Sequence, residues 1–136
     1  MSSIEQTLSI IKPDAVERNL VDSIILIFEK NNLKIKDSKK LHITKEEASE
    51  FYKVHQSKPF FNDLCTYLSS GPIVVMILEG NNAVALNRKI MGATDPKNAE
   101  EHTIRKLYGI SIDKNSVHGS DSIKNAKKEI DFFFKN

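Results

Sequence analysis

The chain has 136 residues, a length that suits one domain spanning 1–136 with a substantial core, since domains commonly run about 100–150 residues. Hydrophobic residues make up 40% and charged residues 28%, with 5 Gly and 4 Pro, which excludes disordered, collagen-like and low-complexity classes. A balance of 20 basic to 18 acidic residues leaves a formal net charge of +2, too small an excess to point to a nucleic-acid protein, although a local basic site for a small polyanion stays open.

The amino terminus, MSSIEQTLSIIKPDAV, lacks a basic segment followed by a long apolar one. No apolar run approaches the roughly 20 residues that span a bilayer, so the expected location is the cytoplasm. Thr7 to Ile11 is a short apolar run closed by Lys12-Pro13-Asp14. Proline disfavours the α region in the residue before it, so the run reads as a strand with Lys12 at its C-terminal end. From Ala15 to Lys30, the recurrence of Val16, Leu20, Ile24, Ile27 and Phe28 predicts one helix stopped by Asn31-Asn32. The stretch LKIKDSKKLHI alternates Leu33 and Ile35, then Leu41 and Ile43, around polar residues, as a half-buried strand with an irregular middle does.

Thr44-Lys45-Glu46-Glu47 has the spacing of a capping box and opens a helix to about His55. Phe60 to Ser69 reads as a second short helix, ended by Ser70-Gly71-Pro72, and within it the lone Cys65 reads as a small buried hydrophobe in a protein of a reducing compartment. Ile73 to Leu78, IVVMIL, is an unbroken apolar run rich in β-branched residues, which predicts a central strand covered on both faces. Asn81-Asn82 then caps a helix to Met91, Gly92 to Glu101 is a polar loop, and Thr103 to Tyr108 is a short helix. Ser116 to His118 forms a brief strand, and Ser122 to Phe134 a final helix with Ile123, Ala126, Ile130 and Phe133 on one face. Without the inserted helix, the order is βαββαβ with a trailing helix. The expected class is α+β and ferredoxin-like, a four-stranded antiparallel sheet with helices on one side plus a C-terminal helix.

The chemistry concentrates around Ser116 to Ser122, SVHGSDS. His118 ends a short strand among small neighbours, and a neutral imidazole near pH 7 is a nucleophile able to form a covalent intermediate. Lys12, Arg88 and Arg105 come from three distant segments, and cations converging on one cleft would neutralise a polyphosphate. Tyr52 and Phe60 flank the Lys58-Pro59 turn, where an aromatic face either stacks on a base or belongs to the core. Asp121 and Glu129 are the carboxylates nearest His118 in sequence, and Glu129 falls two helical turns beyond Ser122. No glycine-rich phosphate cradle and no paired-cysteine or His-Glu-x-x-His metal pattern is present.

Asn115 followed at a short interval by His118-Gly119-Ser120-Asp121-Ser122 resembles the active-site signature of nucleoside diphosphate kinases. The resemblance covers nearly the whole chain: TLSIIKPDAV, FYKVHQSKPFF, SSGPIVVMILEG, NRKIMGATDP and HTIRKLYGI follow in the family's order. It implies that His118 carries the γ-phosphate of a nucleoside triphosphate to a nucleoside diphosphate in a ping-pong exchange. It further implies that Lys12, Tyr52, Arg88, Thr94, Arg105 and Asn115 hold phosphates and sugar, and that Phe60 stacks on the base. Ser120 and Glu129 would support the histidine, and Asp121 would touch a water of the magnesium ion that accompanies ATP and other nucleoside tri- and diphosphates. The family's assembly implies a homohexamer first and a tetramer second, with no membrane and no required nucleic acid. The chain departs from the family at Ala15 and Asn19, at Lys114, and at Glu101-His102, where a proline-glycine pair is common. A non-catalytic nucleic-acid-binding or regulatory module on the same fold is the alternative from another class.

Overall fold

The structure is a computed structural model that describes residues 4–112 and 114–134. Four strands form one sheet in the order β2-β3-β1-β4, all neighbours antiparallel: β1 (Ile4–Ile11), β2 (Lys34–Leu41), β3 (Ile73–Asn81) and β4 (Val117–Gly119). The helices of the described residues are α1 (Pro13–Glu17), α2 (Val21–Lys30), α3 (Lys45–Phe51), α4 (Phe61–Leu68), α5 (Ala83–Met91), α6 (Ile104–Tyr108) and α7 (Ile123–Phe134). This is the ferredoxin-like antiparallel sheet that the sequence pattern predicts.

β3 has the unbroken apolar run because both of its faces are covered. Val74, Met76 and Leu78 pack with Ile24, Phe28, Ile90 and Met91 from the crossover helices α2 and α5. Ile73 and Val75 point the other way, toward Ala48, Cys65, Leu68 and Phe133 of α3, α4 and α7. The two crossover helices thus share one face, as expected, while the inserted α3–α4 pair and the terminal helix occupy the other. Cys65 is a free thiol and fully buried. Full burial of one such apolar side chain contributes about 1.5–3 kcal/mol, so the strand holds both layers.

Several boundaries differ from the sequence reading. The predicted single helix from Ala15 to Lys30 is two, because Asn19 between them takes φ +59°. Asparagine tolerates that left-handed conformation. β1 begins at Ile4 rather than Thr7. α3 ends at Phe51, and Lys53–His55 continue as a 3₁₀ turn, while the irregularity in β2 is a register shift between Ile35 and Asp37. Asn81 lies in β3, and Asn82, at φ +51°, makes no side-chain cap; the carboxylate of Glu5 instead accepts from Val84 N–H at 3.2 Å. The polar loop after Gly92 contains a 3₁₀ turn, Pro96–Asn98. The Thr44 capping box is present with both bonds at 3.0 Å. At the end of α7, Lys39 Nζ donates to Phe133 C=O at 2.9 Å and lies 4.9 Å from the Phe134 ring centroid, a cation placed where a helix C-terminus favours one.

Candidate active site around His118

β4 is the short edge strand on β1, and His118 stands opposite Ile10 in that ladder. Its neighbour Gly119 faces Ser9, where a side chain would not fit: a Cβ there would lie 2.4 Å from Asn87 Nδ2 and 2.8 Å from Met91 Cε. The glycine beside the histidine therefore follows from the close approach of α5.

Three side chains form the centre. His118 Nε2 lies 3.0 Å from Glu129 Oε1, and Ser120 Oγ donates to the same oxygen at 2.7 Å. The His118 and Glu129 side chains are 22% and 21% exposed, screened from bulk water without being sealed from it. Ser120 is fully buried and takes a bond from Leu8 N–H at 3.3 Å, so Glu129 is tied through it to the backbone of β1. On the other flank Phe51 meets the imidazole with centroids 5.4 Å apart and ring planes 77° apart. Phe51 also touches Tyr52, Phe132 and Phe133, which makes it the apolar wall of the site. The sequence reading missed it, since Phe51 is one more apolar residue at helical spacing.

A second chain of bonds lies beyond the start of β4. Lys12 Nζ donates to Asn115 Oδ1 at 2.9 Å, and Asn115 Nδ2 donates to Thr94 C=O at 3.0 Å. Lys12 and Asn115 are buried, whereas Thr94 is exposed. Arg105, also buried, extends Nη1 to Gly92 C=O at 3.0 Å and Nη2 to Val117 C=O at 2.9 Å, clamping the loop after α5 to the histidine's strand. Burial first, and Arg88 second, push its pKa down to about 10. Arg88 is exposed on α5 and lines, with Asp121 and Glu5, a cleft of about 570 Å³. Asp121 is exposed, and the hydrogen bond from Asn125, then the charge of Arg88, hold its carboxyl below the usual range.

Tyr52 is almost buried, and burial, with Cys65 and Glu129 nearby, raises its phenol well above the usual value. Phe60 is 44% exposed at the hairpin tip, its ring 6.2 Å from that of His55 and covered by Lys58 Nζ at 5.7 Å. Such an aromatic is not core. A separate cleft of about 580 Å³, bordered by Asp14, Arg18, Tyr67 and Lys114, holds none of the sequence-predicted residues. Among the described residues no three His, Cys, Asp or Glu side chains form a metal-binding group, and no helix is long and apolar enough to cross a membrane.

The family model for nucleoside diphosphate kinase matches residues 5–136. The chain belongs to the nucleoside diphosphate kinase family. A nucleoside diphosphate kinase from a Nitratiruptor species is 59% identical over 131 residues, covering 96% of each chain. The orthorhombic crystal form of the Aquifex aeolicus nucleoside diphosphate kinase superposes with a TM-score of 0.96 at 40% identity, covering 98% of this chain and 97% of that one. The apo enzyme from Encephalitozoon cuniculi gives 0.93 at 39% identity, with coverage of 97% and 90%. As a nucleoside diphosphate kinase, this protein is a phosphotransferase with nucleotide substrates.

Two of the departures from the family pattern, Asn19 and His102, have a physical reading. His102 takes φ +69° and Asn19 φ +59°, so both positions keep the backbone that a glycine would take freely. At Asn19 the replacement is one that the left-handed region tolerates; at His102 it is a strained one.

Proposed function

We propose that His118 is the nucleophile of a ping-pong exchange, with residues 1–136 acting as one catalytic domain. The observation that carries this is that, among the described residues, only one nitrogen of the His118 imidazole, Nε2, has a hydrogen-bonding partner. An ionised carboxylate only accepts, so the contact with Glu129 assigns the proton to His118 Nε2 and leaves the lone pair of Nδ1 for attack. The Nδ1–P bond forms as the bond from the γ-phosphorus to the bridging oxygen breaks, and the nucleoside diphosphate leaves. Positive charge that develops on the imidazole is met by the Glu129 carboxylate, itself fixed by Ser120. A second diphosphate then takes the group back through the same steps reversed.

Lys12, Arg88 and Arg105 supply the positive charge that a triphosphate and its transferring group need. For Arg105 the support is specific: burial beside another arginine disfavours its charge, and an anionic phosphate relieves that cost. Asn115, Thr94 and Tyr52 hold phosphates and sugar, and Phe60 offers a base an accessible ring face that carries no hydrogen-bond code. Magnesium comes with the nucleotide. Asp121 fits it, as an exposed and readily ionised carboxylate beside Arg88, because magnesium keeps most of its waters and needs only one or two carboxylates besides phosphate oxygens. When bound, the ion neutralises charge on the phosphates.

The proposed assembly is a hexamer, with a tetramer second. Leu107, Ile110 and Ile112 support self-association, since all three are more than half exposed within one short stretch. A cytoplasmic location is in keeping with the unpaired Cys65. The test of the reading is phosphate exchange between ATP and UDP by the parent and by His118→Ala, with the mass of each assembly measured by light scattering. The variant is expected to keep the parental fold and lose exchange. Appreciable turnover in a clean preparation removes His118 from the role.

A further inference from the structure

The most strained backbone near the nucleophile lies one residue before its strand. Ser116 is fully buried at φ +75°, and Val117 N–H closes a three-residue turn on Asn115 C=O at 2.9 Å. A turn of this hand is rare and costly for a residue with a side chain. Asn115 stands on one side of it and Val117-His118 on the other, so the turn sets how the two are aimed.

Bonds that reach three helices hold the turn from behind. Lys12 N–H donates to Ser116 C=O at 2.8 Å. The Ser116 hydroxyl donates to Asp14 Oδ2 at 3.1 Å, and Arg18 Nη2 donates to the same oxygen at 3.1 Å. Arg18 Nη2 also reaches Tyr108 C=O at 2.6 Å, at the end of α6. The second oxygen, Asp14 Oδ1, accepts from the Tyr67 hydroxyl of α4, and Asp14 N–H donates to that hydroxyl oxygen at 3.0 Å. Asp14 is 7% exposed, so its carboxylate is a buried hub rather than a solvated charge.

We propose that Asp14 is a positioning residue: through the Ser116 hydroxyl it holds the left-handed turn, and thereby the relation of His118 to Asn115 during phosphoryl transfer. The proposal rests on His118 being the nucleophile. Reaction rates are sensitive to such placement, because a small displacement of an attacking atom spoils in-line geometry.

Glycine separates the backbone effect from the hydroxyl. Ser116→Ala removes the hydrogen bond and keeps the steric penalty of a Cβ at positive φ, whereas Ser116→Gly removes both. The readouts are the single-turnover rate of His118 phosphorylation by γ-labelled ATP, the nucleotide KM and the melting temperature, all on the full chain. Asp14→Ala is expected to slow phosphorylation about tenfold at saturating nucleotide with little change in KM. Ser116→Ala is slowed about threefold, Ser116→Gly is faster than Ser116→Ala, and Ser116→Gly restores most of the rate lost in Asp14→Ala. If Asp14→Ala fails to fold, the Ser116 pair decides alone. Equal rates in Ser116→Ala and Ser116→Gly overturn the proposal, as does an Asp14→Ala defect that Ser116→Gly leaves unrelieved. A parent chain that takes no label at His118 overturns the nucleophile instead, and that result needs no variant.

Discussion

Replacing Glu129 by glutamine tests how the imidazole is held. Glu129 Oε1 accepts from Ser120 Oγ at 2.7 Å and pairs with His118 Nε2 at 3.0 Å. Hydrogen bonds to a charged group contribute about 1.5–3 kcal/mol, and those between neutral groups about 0.5–1.5. Glutamine keeps the size and one acceptor oxygen and loses the charge, so the loss is about 1–2 kcal/mol, or roughly 5–30-fold in rate. The loss falls on the phosphorylation step, where the ring becomes positive, rather than on nucleotide binding. Glu129→Ala strands both donors and costs about 3 kcal/mol, roughly a hundredfold. Rapid-quench measurement of His118 labelling by γ-labelled ATP, over a range of ATP concentrations, separates the limiting rate from the half-saturation point. A Glu129→Gln rate within twofold of the parent, or a defect confined to half-saturation, rules out charge stabilisation of the imidazole by Glu129.

His102→Gly relieves a left-handed conformation that costs a side-chain-bearing residue about 1–2 kcal/mol, and is expected to raise the melting temperature by roughly 3–6 °C; no rise contradicts the strain at φ +69°. Gly119→Ala pushes a Cβ against Asn87 Nδ2 and Met91 Cε, so the urea midpoint should fall by an amount equivalent to about 1–3 kcal/mol, and an unchanged midpoint contradicts the contact. The phenol of Tyr52 is raised chiefly by burial, so the folded chain keeps a proton that the unfolded chain releases above its ordinary value of about 10. Its contribution to stability is thus complete below pH 10 and lost as the pH rises beyond it, at about 1.4 kcal/mol per pH unit. Tyr52→Phe should flatten that decline between pH 10 and 11, and a decline of the same slope in the variant counts against it.

The fold was legible where periodicity is strong. The IVVMIL run reads as a two-faced strand because each of its faces meets a different helix layer, and the Thr44-Glu47 spacing reads as a cap because both of its bonds form. The break at Asn19 was not legible, since the apolar spacing of Val16, Leu20 and Ile24 continues across it while the backbone does not. Nor was the missing side-chain cap at Asn82, whose place Glu5 takes from a strand 79 residues distant. In the site, His118, Ser120 and Glu129 lie within 11 residues, and helical geometry already sets Glu129 toward the preceding loop. Phe51, Asp14 and Tyr67 left no such trace. Their parts arise from tertiary contacts, in Tyr67's case 53 residues away in sequence, and their residue types are ordinary in a helix.

Nδ1 of His118 is proposed to carry the phosphoryl group while Nε2 stays with Glu129. Brief reaction with ATP and magnesium, followed by nuclear magnetic resonance of the nitrogen-labelled phosphoprotein, identifies the residue and the nitrogen directly. The expected result is one phosphohistidine, at Nδ1 of His118, which disappears when GDP or UDP is added as its phosphoryl group passes into the triphosphate product. Phosphate on Nε2, on another residue, or on His118 but not discharged by a diphosphate would contradict it.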